Sequence, residues 1–177
     1  DGTSGYNDDS TSTLRPCLHY PTGMAVLNDN TIFVTDQKNQ RLIRIDKRTN
    51  LNEYYTLSTI MGDAQTQQFD GDDGVPLACK PGPEGTCLNH PAQVVVRSMP
   101  YGRIILYFTD KDNHRICRII MDSDGNNVTS FTTLAGSLEG EGSLQNDGEI
   151  RFQNPMGMAL IVDNDHLCTM YIADIAN

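Results

Sequence analysis

The sequence contains no tryptophan, and its basic residues are scarce: 13 lysines and arginines stand against 23 aspartates and glutamates. The resulting net charge of -10 repels a phosphate backbone. Proteins that bind single-stranded RNA combine a basic groove with aromatic side chains that stack on bases. The composition therefore disfavours nucleic acid as a partner. An acidic surface suits a cationic partner, or serves solubility alone.

Long hydrophobic runs are also absent. The apolar run 104–108 has the length of a strand, far below the roughly 20 residues that a membrane-spanning helix needs. We therefore expect no membrane span in this segment. The chain begins at Asp1 rather than at methionine, and its first residues do not resemble a signal peptide. We expect a processed or partial stretch of a longer protein.

The five cysteines form an odd set, and two of them flank a short loop. Lys-Pro-Gly-Pro-Glu-Gly-Thr separates Cys79 from Cys87, and such a turn-rich loop can bring two Cβ atoms within bridging distance. We expect a Cys79–Cys87 disulfide, the alternative being two thiols. We expect Cys117 to fill a core position. The partner of Cys17 stays open between Cys168 and a residue outside this chain.

Asn127-Val128-Thr129 is an N-glycosylation sequon. Disulfides persist in oxidising compartments, so the sequon and the cysteine loop together favour a secreted, cell-surface or luminal glycoprotein.

A pattern of short strands and tight turns begins at Pro21, returns at Pro91 and begins a third time at Pro155. β-Branched and aromatic residues alternate with Asn, Asp and Gly clusters, which is typical of an antiparallel meander. The predicted strands are 24–27, 31–35, 41–45 and 54–61 in the first copy, 93–97, 104–109, 115–121 and 128–134 in the second, and 156–162 and 169–173 in the third.

The copies share polar residues at fixed offsets. Aspartate follows the second strand, asparagine comes three residues later, and arginine opens the third strand. We expect these residues to hold each meander together: the aspartate accepting N–H bonds of the next turn, the asparagine taking its left-handed position, and the arginine pairing with the aspartate or lying along the sheet. The set is Asp36, Asn39, Arg41, Asp110, Asn113, Arg115, Asp174 and Asn177.

One meander cannot bury both of its apolar faces alone, whereas copies stacked side by side and closed into a ring can. The sequence therefore predicts an all-β fold, a β-propeller of four-stranded antiparallel blades, of which this chain holds about two and a half. A ring needs at least four blades, so the remainder comes from the same or another chain. We divide the chain into connector 1–20, blade 21–62, connector 63–90 with the cysteine loop, blade 91–136, connector 137–154 and the start of a further blade, 155–177.

Asn39-Gln40-Arg41-Leu42 and Asn113-His114-Arg115-Ile116, each preceded by a strand ending in Thr-Asp, resemble NHL repeats, as does Phe152-Gln153-Asn154-Pro155-Met156-Gly157. The resemblance covers almost the whole chain and implies a propeller that is typically six-bladed. It departs at Ala92-Gln93 and in an enlarged turn, 98–102. The connectors exceed the family minimum, so we expect them, above all 62–90, to present the specific surface.

Several alternatives concern metals. Some propellers resembling this family are amidating lyases with metal-bound histidines near the axis. His90 lies just before the first, innermost strand of a blade, but His19, His114 and His166 occupy non-equivalent positions and do not converge easily. The segment 122–126 begins like a calcium loop but has Gly at position 4 and no Glu at position 12, so we interpret it as a hairpin. Calcium at Asp70, Asp72 and Asp73 is a weaker alternative to a solvated loop.

No phosphate-binding glycine loop and no nucleophile elbow occurs. We therefore nominate no catalytic residue, no metal ligand and no cofactor. The leading hypothesis is a non-catalytic protein-binding or assembly scaffold. The alternatives are a propeller enzyme of lyase or hydrolase type with a metal near the axis, and an RNA-binding NHL domain, which the acidic charge disfavours.

Overall fold

The structure is a computed structural model of the chain. It describes residues 18–47, 55–62, 87–136, 150–163 and 167–176. These residues form ten strands in three antiparallel sheets, each with its strands in chain order. The first sheet holds β1 (Pro21–Asn28), β2 (Thr31–Asp36), β3 (Arg41–Lys47) and β4 (Tyr55–Gly62). The second holds β5 (Pro91–Ser98), β6 (Ile104–Asp110), β7 (Arg115–Met121) and β8 (Val128–Gly136), and the third holds β9 (Pro155–Val162) and β10 (Cys168–Asp174).

Local chemistry closes the turns of these meanders. Between β1 and β2, the Asn28 side-chain oxygen accepts the backbone N–H groups of Asn30 and Thr31 at 2.9 and 3.0 Å. Such Asx turns are the reason that Asn and Asp cluster between the strands. Each predicted strand is present, extended by up to three residues at its ends or, for β4, starting one residue later.

The sheets stack face to face, and β6 shows how the middle sheet serves two interfaces. All seven of its residues are buried. Leu106 and Phe108 join a cluster shared with the first sheet, whereas Ile105 and Tyr107 join a second cluster with Met158 of the third sheet. Successive side chains of a strand point to opposite faces, so one strand supplies both cores. Burying each apolar side chain of this size contributes about 1.5–3 kcal/mol to the free energy of folding.

The first strands of the three sheets, β1, β5 and β9, lie next to one another. Four-stranded antiparallel sheets that stack in this way, with their first strands adjacent, are the blades of a β-propeller. The predicted fold class is confirmed. Within the described residues, no helix has the length and hydropathy required to span a membrane.

Candidate functional site

The repeated aspartate ties together three parts of its blade. Asp36 ends β2, and its Oδ2 accepts the Arg41 Nε and the Asn39 side-chain amide, both at 2.8 Å. Its Oδ1 accepts the backbone N–H of His19 at 2.6 Å. Asp36 and Arg41 are fully buried. Their charges are therefore satisfied inside the blade and are not presented to a ligand.

The second blade repeats the same contacts. Asp110 Oδ2 accepts Arg115 Nε and the Asn113 amide at 2.8 Å, and Oδ1 accepts the Asn89 N–H at 2.7 Å. Burial raises the pKa of Asp110, and the Arg115 guanidinium and the hydrogen bonds from Asn89 and Asn113 oppose this rise. In the third copy, Asp174 accepts the N–H of Gln153. Asn177 lies outside the described residues.

Two details of these turns differ from the sequence interpretation. The N–H that each aspartate accepts belongs to the segment before the first strand, not to the turn that follows. The left-handed residue is Gln40 (φ 54°) or His114 (φ 53°), one position after Asn39 and Asn113. Both asparagines are buried instead, and their side-chain amides donate hydrogen bonds to the aspartates.

Gln40 and His114 connect each blade to the next one. The Gln40 Oε1 accepts the backbone N–H of His90 at 2.5 Å, and the His114 Nδ1 accepts that of Asn154 at 3.2 Å. Threonine hydroxyls add a parallel link. Thr35 Oγ1 donates to the carbonyl of Ala92 at 2.8 Å, and Thr109 Oγ1 donates to the carbonyl of Met156 at 3.1 Å.

We call the repeated contacts of the aspartate, asparagine and arginine residues, with the hydrogen bonds between blades, the frame. Side chains that differ between the copies lie around this frame, on one edge of the blades. At the residue before β1, Tyr20 is exposed, and the Lys38 ammonium lies 5.1 Å from its ring centroid. At the same position before β5, His90 Nδ1 lies 2.8 Å from Asp112 Oδ2, and Lys111 Nζ lies 2.8 Å from the other oxygen. The frame is thus constant, and the groups that it presents are different in each blade.

A second inter-blade contact lies at the opposite edge. Arg44 of β3 donates through Nη1 to the carbonyls of Asp124 and Gly125 and to the Asn126 side chain, at 2.9, 2.5 and 2.9 Å. These acceptors belong to the β7–β8 hairpin, so the segment 122–126 is a hairpin loop as predicted. In the same loop, a hydrogen bond from the Asn127 side chain lowers the pKa of Asp122.

The cysteines and the sequon are only partly described. Cys87 is disulfide-bonded, and its partner lies outside the described residues, as does Cys79, so that pairing stays a prediction. Cys117 is buried, and Cys168 is an exposed thiol rather than a partner of Cys17 in a disulfide. Asn127, the sequon residue, is exposed at the hairpin.

The candidate metal ligands are dispersed where they can be seen. In the described part of the chain, no group of three His, Cys, Asp or Glu side chains could hold a metal ion. His90 and His114 make separate contacts, with Asp112 and with Asn154. His166 and the acidic cluster Asp70, Asp72 and Asp73 lie outside the described residues.

The two end sheets expose apolar side chains that their counterparts bury. Met24, Val94 and Met158 are each the fourth residue of the first strand of their sheet. Val94 and Met158 are buried against the preceding sheet, whereas Met24 at the same position is 58% exposed. Tyr171 stands three residues before Asp174, as Phe33 stands before Asp36 and Tyr107 before Asp110. Phe33 is fully buried, whereas Tyr171 is 59% exposed.

These features define the class of protein: the chain is a β-propeller segment. Its residues 18–45 match the family model of the NHL repeat, so the first blade carries an NHL repeat and the resemblance is confirmed. No curated protein matches the sequence.

Two solved structures from Bacteroides thetaiotaomicron VPI-5482 are similar to the chain. One is an auxiliary nutrient binding protein, with 20% identity, a TM-score of 0.51 and coverage of 82% of this chain and 32% of that one. The other is named as a candidate phosphatase, with 17% identity, a TM-score of 0.58 and coverage of 92% and 34%. The chain thus spans about a third of the length of these proteins. At such identities the likeness is one of fold.

Proposed function

We propose that this segment belongs to a non-catalytic NHL-propeller scaffold that binds protein partners in an extracellular or luminal setting. One observation carries the proposal. The charged residues of the repeat are buried and consumed in holding the blades, whereas Tyr20, Lys38 and His90 differ from copy to copy and face solvent or its border. A frame that repeats while its presented groups vary suits recognition by surface rather than a single reaction centre.

The scaffold continues beyond the blades seen here. Met24 and Tyr171 are exposed at positions that face a neighbouring blade elsewhere in the chain, and covering them requires further blades of the same kind. The rest of the ring comes from the same or another chain. Burial of such faces removes apolar surface from water, which is the main favourable term in association.

Hydroxyl-radical footprinting tests the ring, because methionine and tyrosine are both reactive probes. We expect Met24 and Tyr171 to be protected in the full-length protein relative to the isolated chain. Tyr101, which is fully exposed in the β5–β6 turn, is the internal control and stays reactive in both. Equal reactivity of all three residues in the full-length protein would contradict ring completion.

Protein binding is tested with variants of the proposed edge. Proteins retained from the extracellular fluid of the source by the full-length protein are compared with those retained by Tyr20→Ala and Lys38→Glu. The matched control is Tyr101→Ala, since Tyr101 belongs to the enlarged turn 98–102 on the opposite edge. We expect the two edge variants to lose a partner that the control retains. If a partner is lost with the control and retained by both edge variants, the binding surface does not lie at the edge of Tyr20 and Lys38.

The compartment and the non-catalytic role have separate tests. Mass spectrometry without reduction is expected to find Cys79 joined to Cys87 and a glycan on Asn127. Bare Asn127 together with thiols at both cysteines would place the protein in the cytosol. Metal analysis of the full-length protein addresses catalysis, since stoichiometric zinc or calcium near the propeller axis would favour the enzyme alternative.

A further inference from the structure

Two successive blade junctions use the same backbone geometry with different side chains. Gln40 and His114 are both left-handed residues that close the turn between the second and third strands. Each accepts the N–H of another left-handed residue, His90 (φ 49°) or Asn154 (φ 61°), immediately before the next blade. The repeat therefore supplies its own comparison: an amide oxygen closes the first junction, and an imidazole nitrogen closes the second.

The two acceptors respond differently to protons. A glutamine carbonyl oxygen accepts a hydrogen bond at any ordinary pH. The His114 Nδ1 can accept one only while it carries no proton, so the contact requires the neutral ring with its hydrogen on Nε2. Histidine side chains titrate between pH 5 and 8. A proton on the His114 Nδ1 would place its N–H 3.2 Å from the backbone N–H of Asn154, so that two donors face each other without an acceptor.

We propose that the junction between the second and third blades is a pH-sensitive joint that loosens on acidification, whereas the first junction keeps its hydrogen bond. The expected result is local opening of β9 and β10 with the first two blades intact. Thr109 Oγ1 still donates to the Met156 carbonyl, and Met158 still packs against β6, so the third blade loosens rather than detaches.

Charged groups surround His114 on both sides of the junction. Its own turn carries Lys111 and Asp112, which pair with each other, and β7 begins with Arg115, which pairs with Asp110. Across the junction, Asp174 accepts the N–H of Gln153, beside Asn154.

His90 differs from His114 in its role. Its Nδ1 lies 2.8 Å from the Asp112 carboxylate, so a proton on His90 strengthens that contact. The two histidines thus respond oppositely to acid, and only His114 loses a bond.

Hydrogen exchange and NMR on the full chain test the joint. Between pH 7.5 and 5.5, after correction for intrinsic exchange, we expect the opening constant of β9 amides to rise about five-fold, the factor for one net hydrogen bond. Amides of β5 serve as the internal reference. The ¹⁵N shifts of the ring report the tautomer directly, and we expect Nε2–H for His114 at pH 7.5.

Two reciprocal variants use the chemistry that the repeat already contains. His114→Gln copies the first junction and is expected to abolish the acid response of β9 while the blade stays docked. Gln40→His is expected to confer an acid response on β5. A response of β9 that persists in His114→Gln, an Nδ1–H ring at pH 7.5, or a Gln40→His protein whose β5 ignores acid would each overturn the proposal.

Discussion

Arg115 Nε lies 2.8 Å from Asp110 Oδ2 where both side chains are buried, and the Arg41–Asp36 pair repeats that distance in the first blade. Breaking a buried ion pair from one side leaves an uncompensated charge. We therefore expect Arg115→Met to lower the free energy of unfolding by about 3–5 kcal/mol at pH 7, measured by urea denaturation.

The loss in Arg115→Met is expected to depend on pH. Burial holds the pKa of Asp110 above its usual value, so the folded state retains a proton that the unfolded state releases, and stability falls as pH rises from about 4 through the folded pKa. Without Arg115 that pKa rises further, so the variant's deficit is smaller at pH 4 than at pH 7. Equal deficits at the two pH values would contradict this account.

Gly136 ends β8 with φ 85°, and a Cβ there would meet the backbone carbonyl oxygen of His114 at 2.1 Å. This oxygen belongs to the backbone, so it cannot shift away as the end of a flexible side chain could. We expect Gly136→Ala to cost at least about 2 kcal/mol in thermal or urea unfolding.

Gly102→Ala is the matched control for this clash. Gly102 has a similar φ of 82°, but the nearest atom to an added Cβ is the Ser123 Cβ at 3.1 Å. The conformational cost of a left-handed alanine, about 1–2 kcal/mol, and a small shift of Ser123 are expected there. If the two variants lose the same stability, the close approach to His114 is not what requires glycine at position 136.

Arg44 is expected to fasten the β7–β8 hairpin to the first blade. Arg44→Ala removes its three hydrogen bonds to the hairpin, and because the site is partly exposed we expect a loss of about 1–2 kcal/mol and faster amide exchange in the hairpin. Arg118→Ala is the control, since Arg118 stands at the equivalent position and donates to Thr132 of its own sheet. Hairpin exchange that is faster in the control than in Arg44→Ala would refute the inter-blade role.

The side chain of Asn127 is expected to control the pKa of Asp122. Its side chain donates to Asp122 at 2.7 Å and lowers the pKa of that carboxyl, so Asn127→Ala should raise it toward the ordinary 3.8. The stability that this hydrogen bond contributes is present above pH 4 and is lost as pH falls through the folded pKa. A carboxyl ¹³C titration by NMR measures the shift.

Thr129→Ala separates the two roles of Asn127. It destroys the sequon but leaves the Asn127–Asp122 hydrogen bond in place. We expect this variant to keep the lowered Asp122 pKa and to lose the glycan. An Asp122 titration that moves in Thr129→Ala as far as in Asn127→Ala would show that the hydrogen bond is not the cause.

The strands followed from the sequence because alternation and turn residues are local signals. The geometry of the repeat did not. Which N–H faces Asp36 is decided by His19 crossing from the previous connector, and no local pattern encodes that approach. Gln40 and His114 were missed as a pair because the repeat holds their backbone constant and changes their chemistry. Arg44 was missed because its acceptors lie some 80 residues away.

The adjacency of β1 with β5 and of β5 with β9 gives the segment a one-dimensional character. Each blade then contributes an intrinsic term and one coupling term for each neighbour, so substitutions at separate junctions should add. The couplings are unequal, since the cluster between the first two sheets is much larger than the one that holds Met158. Within the described blades, local unfolding should therefore begin at the third blade. The first and second blades should unfold together and last.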